Sequence, residues 1–150
     1  MSASFRISRR VDFADTDMAG LIHFSNYFRY MEFAEVAFLR SRGLSVTMTL
    51  GAEKIGFPRV SATCDYLHPV HFEDVLDIEV RIERVGRKSV TYTFDFLHQG
   101  KLVAKGRLSG VCCRMLPGVS GLEPVDIPEE IRNRLLDAAA QNRPSVGDAS

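Results

Sequence analysis

The sequence predicts an α+β fold in which a curled antiparallel sheet of five strands wraps around one long central helix. One strand-like stretch precedes a single long, strongly apolar helix pattern, and four more strand-like stretches follow it. The segments between the later strands are too short for the crossovers that parallel pairing requires, so the sheet should be antiparallel. A helix that is apolar around most of its circumference has to be surrounded, which places it inside the curl of the sheet.

The first strand is predicted over residues 5–13, where four apolar residues fall on alternate positions: Phe5, Ile7, Val11 and Phe13. Arg9 interrupts this pattern. The helix is predicted over residues 25–43, where apolar residues recur at helical spacing: Tyr27, Met31, Ala34 and Phe38. Ser25 can cap the start of the helix and Gly43 can end it.

Four further strands are predicted after a linker that carries Gly51, Gly56 and Pro58. They fall within residues 59–70, 74–86, 88–100 and 101–116. In the second of them Leu76, Ile78, Val80 and Ile82 alternate with polar residues, so one face is buried and the other solvated. Gly86 and residues 98–100 supply tight turns. A short amphipathic helix over residues 127–140, opened by Pro128 and two glutamates, should lie on the surface.

The composition is that of one globular domain. The chain has 150 residues, 45% of them hydrophobic, and we expect one domain over residues 1–140 and a flexible tail over 141–150. With 19 basic and 19 acidic residues the net charge is zero, so no global field draws the protein to nucleic acid or to an anionic membrane. The sequence shows neither a signal-peptide core nor an apolar run of membrane-spanning length, and we therefore expect a cytoplasmic protein.

Neither the cysteines nor the glycines form a cofactor-binding pattern. Cys64, Cys112 and Cys113 make up neither an even disulfide framework nor a CxxC pair, so buried reduced thiols are expected. His68 and His71 would suggest metal ligands only with a third ligand near them, and we expect a loop role. No GxGxxG or GxxxxGK[ST] pattern occurs, and the expectation is a protein without a metal or a cofactor.

The chemistry is predicted to lie in the loop before the central helix. Residues 15–20 place two carboxylates, Asp15 and Asp17, just ahead of a helix start, where unpaired backbone N–H groups attract negative charge. A thioester carbonyl bound there would have its oxyanion stabilised while a carboxylate attacks it or activates water. Asp17 is the candidate. The alternative, that both aspartates are only turn or cap residues, stays open on residue types alone.

Residues 15–39 resemble the 4-hydroxybenzoyl-CoA thioesterase family of hotdog proteins. The family signature is an Asp, two variable residues, a Gly, two apolar residues, an aromatic residue or His, and then a Tyr before a Glu-bearing helix. Those places are filled without a gap by Asp17, Gly20, Leu21, Ile22, His23, Tyr27 and Glu32. The resemblance extends more loosely over about residues 5–116, including a basic turn, Gly86–Ser89.

The resemblance implies a hotdog fold and an acyl-CoA thioesterase that works without a metal. It implies homodimers joined edge to edge through their sheets, often paired into homotetramers, with active sites at the dimer interface. Asp17 would be the nucleophile or general base, and the oxyanion donor would be the main-chain N–H of Phe24. Gly20 would let the backbone approach the substrate closely. A thiolate whose acid has a pKa of roughly 8.5 leaves readily, so one carboxylate and one oxyanion donor can suffice.

Several further residues are candidates for substrate contact. His23 could hydrogen-bond a substrate or a water, or simply fill space. By resemblance, the turn carrying Arg87, Lys88 and Ser89 approaches the nucleotide end of CoA, whose phosphates suit basic donors, although two cations in a turn are often only solvated. Tyr27, which holds the motif position, is a candidate too, and Arg59, which starts a strand, is a weaker one. Glu32 and Glu35 should orient the loop or face solvent, and Glu32 can pair with Arg29.

The acyl group is left open by the sequence. An aromatic acyl-CoA, a short or medium aliphatic acyl-CoA and an acyl carrier protein thioester all fit. A hotdog hydratase would need a His and acid pair in a different helix-entry motif, which the Asp17-to-Tyr27 spacing disfavours. A hotdog protein that binds an acyl-CoA without hydrolysing it is the non-enzymatic alternative.

Overall fold

The computed structural model describes residues 5–116, 118 and 121–141. Apart from residue 141, the predicted tail lies outside the described residues, and the domain boundary stays a prediction. The helices are α1 (Asn26–Ser41) and α2 (Glu129–Gln141). The strands are, in chain order, β1 (Phe5–Arg10), β2 (Thr47–Leu50), β3 (Glu53–Gly56), β4 (Arg59–Tyr66), β5 (Val75–Val85), β6 (Ser89–His98), β7 (Lys101–Val111), β8 (Cys113–Met115) and β9 (Leu122–Pro124).

The predicted α+β class is confirmed, with a five-stranded antiparallel sheet in the order β1-β5-β6-β7-β4. Its concave face packs on α1, whose Tyr30, Met31, Ala34 and Phe38 are at most 1% exposed. The predicted alternation in β5 is also confirmed, because Leu76, Ile78, Val80 and Ile82 are buried. The apolar stripe of the helix and the inward faces of the strands therefore form one core.

The two ends of α1 behave differently from each other. At its end, the N–H of Leu44 donates to the carbonyl of Leu39 at 2.8 Å and that of Gly43 to Arg40 at 3.1 Å, a Schellman motif that Gly43 permits with φ +71°. At its start Ser25 is the N-cap by position, but its side chain makes no capping hydrogen bond. The predicted cap at Gly43 is confirmed, whereas side-chain capping by Ser25 was wrong.

β1 ends earlier than predicted, and this also explains Arg9. The strand stops at Arg10, and the chain then enters a 3-10 turn over Phe13–Asp15, which leaves Phe13 77% exposed. The guanidinium of Arg9 lies 4.8 Å from the ring centroids of both Tyr30 and Phe33. The arginine therefore occupies an inward position of the strand because its charge rests on aromatic faces of the helix.

The linker and the C-terminal region hold a second sheet that the sequence did not predict. β2 and β3 form a hairpin within the linker and continue into β8 and β9, in the order β2-β3-β8-β9. The last predicted strand is accordingly broken at Cys112 into β7 and β8. The surface helix α2 buries one face through Ile131 and Leu135. Among the described residues, no helix has the length and apolarity that a membrane crossing requires; the cytoplasmic location stays a prediction.

Candidate active site

The predicted catalytic loop is a narrow hairpin-like turn closed by its own backbone. Thr16 pairs with Ile22 in an isolated bridge, the N–H of Asp17 donates to the carbonyl of Leu21 at 2.8 Å, and that of Gly20 donates to Asp17 at 3.0 Å. Gly20 has φ +77°, and a Cβ there would meet nothing within 4 Å. Within the chain, glycine is therefore required for its backbone conformation rather than for a close approach.

The carboxylate of Asp17 is exposed and is oriented by the loop. One oxygen, Oδ1, accepts the N–H of Ala19 at 2.8 Å and the N–H of Leu21 at 3.2 Å. The other oxygen, Oδ2, accepts no hydrogen bond from the part of the chain that the structure describes. Asp17 is thus a turn residue, as the alternative interpretation held. It also presents one unengaged carboxylate oxygen to solvent, as the catalytic interpretation requires.

Asp15 has a different environment from Asp17. It is 6% exposed, and its Oδ2 accepts the hydroxyl of Tyr30 at 2.8 Å. Arg9 and Arg29 each approach the carboxylate to 3.8 Å, so Arg29 pairs here and not with Glu32. Burial, reinforced by the hydrogen bond to Asp15, raises the pKa of Tyr30 to about 12. Asp15 therefore anchors the loop to the helix and leaves Asp17 as the accessible carboxylate.

A backbone donor lies free at the start of α1. The carbonyl of His23 accepts the N–H of Asn26 at 2.9 Å, so in the trans peptide the N–H of Phe24 points the opposite way, out of the helix. The Phe24 N–H has no acceptor among the described residues. The carbonyl of Phe24 accepts the hydroxyl of Tyr66 at 2.9 Å, which fixes this segment to β4.

His23 is held by its neighbours on the surface. Its N–H donates to the carbonyl of Asp15 at 2.9 Å, its Nδ1 lies 2.8 Å from the hydroxyl of Ser25, and its ring stacks on Phe24 at a centroid distance of 4.6 Å. The Ser25 hydroxyl is therefore engaged with His23, which explains why it does not cap the helix. The contacts orient the imidazole, and its role stays a prediction.

An apolar groove of about 300 Å³ runs from the loop to the end of β4. Its walls include Leu21, Ile22, Phe24, Tyr27, Tyr66 and Leu67. Tyr27 is buried and makes edge contacts with Tyr66 and Phe96, and burial raises its pKa. The sequence analysis placed Tyr27 near the substrate but missed Tyr66, which reads in the sequence only as one more strand residue. Phe24 lines the groove, and so does Leu21, whose N–H donates to the Asp17 carboxylate, so the groove is a candidate space for an acyl group.

The basic turn lies far from the loop within one protomer. β5 begins beside the loop, because Leu21 bridges His71 and the N–H of Phe72 donates to the carbonyl of Gly20 at 3.1 Å. The turn carrying Arg87 follows the other end of β5. The 11 residues of that strand span roughly 33 Å at 3.3 Å per residue. A single protomer therefore does not bring Asp17 and the Arg87–Ser89 turn together.

Arg59 forms a pair that the sequence did not predict. Its guanidinium bonds to the carboxylate of Glu35 in the third turn of α1 and lies 3.9 Å from Glu32. Glu35 is 4% exposed, so the expectation that it orients the loop or faces solvent was wrong. Burial raises the pKa of Glu35, while the charge and hydrogen bond of Arg59 act in the opposite direction.

The histidines after β4 do not gather a metal site. His68 lines the groove, and the N–H of His71 donates to the carboxylate of Asp74 at 2.9 Å. The ring of His98 also approaches Asp74, at 3.6 Å. Within the described ranges, no three His, Cys, Asp or Glu side chains come together as a set of metal ligands. Both predicted loop histidines lie in the connection between β4 and β5.

Several known proteins are similar to this chain in sequence and in fold. A family model described as the Thioesterase-like superfamily matches residues 11–135. A putative esterase of Aquifex aeolicus is 33% identical over 89% of this chain and 98% of its own length. The 4-hydroxybenzoyl-CoA thioesterase of a Pseudomonas species is 32% identical over 59% of this chain and 64% of its own length. The solved structure of a gentisyl-coenzyme A thioesterase is 31% identical, covers 87% of this chain and 99% of its own, and superposes with a TM-score of 0.75.

Proposed function

Because this chain belongs to the Thioesterase-like superfamily of hotdog-fold thioester hydrolases, we propose that it hydrolyses the thioester bond of a small acyl-CoA. The observation that carries the proposal is the loop before α1. It presents an oriented, exposed carboxylate, Asp17, and a backbone donor without an acceptor among the described residues, Phe24 N–H. An apolar groove is lined by Phe24 and by Leu21, whose N–H donates to the carboxylate of Asp17. Acyl transfer needs this combination of nucleophile or base, oxyanion donor and acyl pocket.

The reaction can proceed by two routes through the same atoms. The thioester oxygen accepts the Phe24 N–H, which stabilises negative charge as the carbonyl carbon is attacked. In one route Oδ2 of Asp17 attacks that carbon, the C–S bond breaks with departure of the thiolate, and water hydrolyses the mixed anhydride. In the other route Asp17 takes a proton from water as the water oxygen bonds to the carbonyl carbon. The C–S bond then breaks, and the departing thiolate takes up that proton. Oδ2 serves either route, since Oδ1 holds the loop.

We propose an aromatic acyl group as the preferred substrate. The groove is walled by three aromatic side chains, Phe24, Tyr27 and Tyr66. Ring contacts of this kind favour an aromatic guest over an aliphatic chain of equal size. The similarity to proteins named as 4-hydroxybenzoyl-CoA and gentisyl-CoA thioesterases supports the same choice.

The site is proposed to be completed by a second copy of the chain. β4 is a sheet edge of eight residues, and Val60 on it is 64% exposed. A sheet edge leaves backbone N–H and C=O groups unpaired, and two copies related by a two-fold axis would pair these groups of β4 in an antiparallel arrangement. That pairing sets the Arg59 end of one β4 against the Tyr66 end of the other. The Arg59 end lies on the side of the sheet that carries the Arg87–Ser89 turn, because Arg59 and Val90 both pair with Gly110.

The dimer can be tested with a charge on this edge. Because the Arg59 end of one β4 faces the Tyr66 end of the other, Val60→Glu places a carboxylate toward Asp65 of the partner subunit. We therefore expect the mass in light scattering to fall from at least twice 16.8 kDa toward 16.8 kDa, with loss of hydrolysis. Leu136→Glu is the matched control, because Leu136 is an exposed apolar residue of α2 away from the edge. A fully active unaltered protein that is monomeric at micromolar concentration would contradict the interface site.

The function itself is tested with a panel of thioesters. Release of free thiol is followed continuously with benzoyl-type, short-chain and medium-chain acyl-CoA, with the same acyl groups on acyl carrier protein, and with pantetheine thioesters. We expect hydrolysis of the acyl-CoA substrates, with kcat/KM highest for hydroxylated benzoyl groups. Faster turnover of the acyl carrier protein thioesters would identify the other carrier. Binding without thiol release would identify a non-catalytic acyl-CoA-binding protein.

A further inference from the structure

The turn between β5 and β6 has an unusual distribution of hydrogen bonds. The carbonyl of Gly86 accepts Arg132, and the carbonyl of Arg87 accepts both Arg132 and the N–H of Ile127. The carbonyl of Lys88 accepts the N–H of Cys112 at 2.6 Å, and that of Ser89 accepts the N–H of Gly86 at 2.7 Å. All four carbonyl oxygens of the turn are therefore engaged by the protein.

The backbone N–H groups of the turn are engaged less fully than its carbonyl oxygens. The N–H groups of Arg87 and Lys88 have no acceptor among the described residues, and the Arg87 side chain is exposed. Asp126 pairs with the Nε of Arg87 at 3.2 Å, at one edge of the guanidinium. Carbonyl oxygens repel an anion, whereas backbone N–H groups and guanidinium or ammonium groups attract it. With its acceptors occupied, the turn offers solvent mainly positive groups.

Arg132 makes the largest contribution to this arrangement from outside the turn. It lies in the first turns of α2, and its Nη2 donates to the carbonyls of Gly86 and Arg87 at 2.8 Å each. One nitrogen of the guanidinium thereby holds two successive peptide groups, and the planar head group fixes the directions of its two N–H bonds, whereas an ammonium group rotates freely. The N–H of Ile127 donates to the Arg87 carbonyl at 2.9 Å and adds a second tie from the segment just before the helix.

We infer that Arg132 is a positioning residue for phosphate binding: it fixes the Gly86–Ser89 turn with its carbonyls inward, so that Arg87, Lys88 and two backbone N–H groups face the nucleotide phosphates of CoA. The inference rests on the proposed function, because it takes a CoA thioester as the substrate. It assigns α2 a function beyond the burial of Ile131 and Leu135. Arg132 acts through the turn and not by touching the reacting atoms.

The test compares KM for an acyl-CoA with KM for the same acyl group on pantetheine, which lacks the nucleotide. The KM ratio is the value for the acyl-CoA divided by the value for the acyl-pantetheine. Arg132→Ala should raise the ratio of the two KM values by about tenfold, the scale of one charge-assisted hydrogen bond, with kcat on the pantetheine substrate unchanged. Arg132→Lys keeps the charge, but its shorter side chain ends in an ammonium group that does not fix the directions of the two N–H bonds, and we expect it to raise the ratio as well. Retention of the original ratio in Arg132→Lys would show that only charge matters and would overturn the positioning role.

Two comparisons separate positioning from a loss of folding and from direct contact. Arg134→Ala is the matched control, because Arg134 on the same helix donates to the carbonyl of Gly43 at 2.9 Å, away from the turn. It should lower the melting temperature about as much as Arg132→Ala and leave the KM ratio unchanged. In a protein that already carries Arg87→Ala and Lys88→Ala, Arg132→Ala should raise the ratio by less than it does in the unaltered protein, since only the two backbone N–H groups remain for it to position.

The outcomes distinguish this inference from the proposed function. An unaltered protein that hydrolyses neither thioester overturns the proposed function and this inference with it. An unaltered protein that hydrolyses both, with a KM ratio raised by the Arg87 and Lys88 substitutions but not by Arg132→Ala, keeps the function and removes Arg132 from it. Full additivity of the Arg132 and turn substitutions would also overturn the positioning role, because it would mean a direct contact of Arg132 with the ligand.

Discussion

We expect Asp17→Asn to lower kcat for the acyl-CoA substrate by about 100-fold to 10,000-fold while KM changes little. The amide oxygen of asparagine can still accept the two N–H bonds that Oδ1 now accepts from Ala19 and Leu21. The loop is therefore expected to persist. What is lost is the negative charge and the second carboxylate oxygen, which both hydrolytic routes need. Steady-state kinetics of thiol release would measure kcat and KM. Mass spectrometry that detects a bound, unhydrolysed acyl-CoA would show that the variant still binds its substrate.

Asp15→Asn provides the comparison within the same loop. Asp15 is buried and accepts the hydroxyl of Tyr30, so the substitution is expected to lower the melting temperature more than Asp17→Asn does. Its kcat should fall far less. The two aspartates would then separate cleanly into a stabilising residue and a catalytic one. A well-folded Asp17→Asn protein with near-normal turnover would reduce Asp17 to a turn residue, and the proposed mechanism would fail.

The sequence predicted the parts of the fold that depend on local periodicity. α1 was predicted because apolar residues occupy most of its circumference, which only a surrounded helix can satisfy. β5 was predicted from strict alternation between apolar and charged residues, and the structure buries its apolar side against the helix. The hairpin after β6 was predicted at residues 98–100, where Gln99 and Gly100 both have positive φ. These signals require no knowledge of distant contacts.

The sequence did not predict the environment of charged residues whose partners lie far away in the chain. Arg9 interrupts an alternating pattern, and only the structure shows its guanidinium on the rings of Tyr30 and Phe33. Glu35 has the sequence position of a solvated helix residue, yet it is buried and pairs with Arg59, which is 24 positions later in the chain and still partly exposed. The acceptability of a buried charge depends on a partner distant in sequence.

In the candidate site, too, the sequence predicted neighbouring segments together but could not place distant segments relative to them. The Asp17 loop and the helix start are contiguous in sequence, and the resemblance identified both together. The Arg87–Ser89 turn was assigned to the same substrate, but the length of β5 keeps it at the opposite end of the protomer. Neither the contribution of Arg132 nor that of Tyr66 carries a local signal, because each acts through a hydrogen bond to a backbone carbonyl of another segment.

The largest effect on stability is expected for Arg59→Ala. Removal of the guanidinium leaves the carboxylate of Glu35, which is 4% exposed, without its partner. Breaking a buried pair costs about 3–5 kcal/mol, and because Arg59 is still 30% exposed we expect about 3 kcal/mol of lost unfolding free energy at pH 7. Urea denaturation at one fixed protein concentration measures it. Arg114→Ala is the control: it breaks exposed pairs with Glu53 and Glu123 and should cost far less stability than Arg59→Ala.

The pH dependence of the unfolding free energy would identify Glu35 as the cause of the stability lost in Arg59→Ala. Its pKa in the folded protein is raised above the ordinary value of 4.5, mainly by burial, and loss of Arg59 removes an opposing effect and raises it further. Between the unfolded and folded pKa values the folded state binds more protons, so the unfolding free energy falls as pH rises through this window. Because the pH range between these two pKa values is wider in Arg59→Ala, its loss of unfolding free energy relative to the unaltered protein should be larger at pH 7 than at pH 5.

Adding Glu35→Gln to Arg59→Ala should restore most of the stability at pH 7 and abolish that pH dependence. A deficit that is equal at both pH values, and that Glu35→Gln does not reduce, would show that Arg59 stabilises the protein through packing and not through the carboxylate.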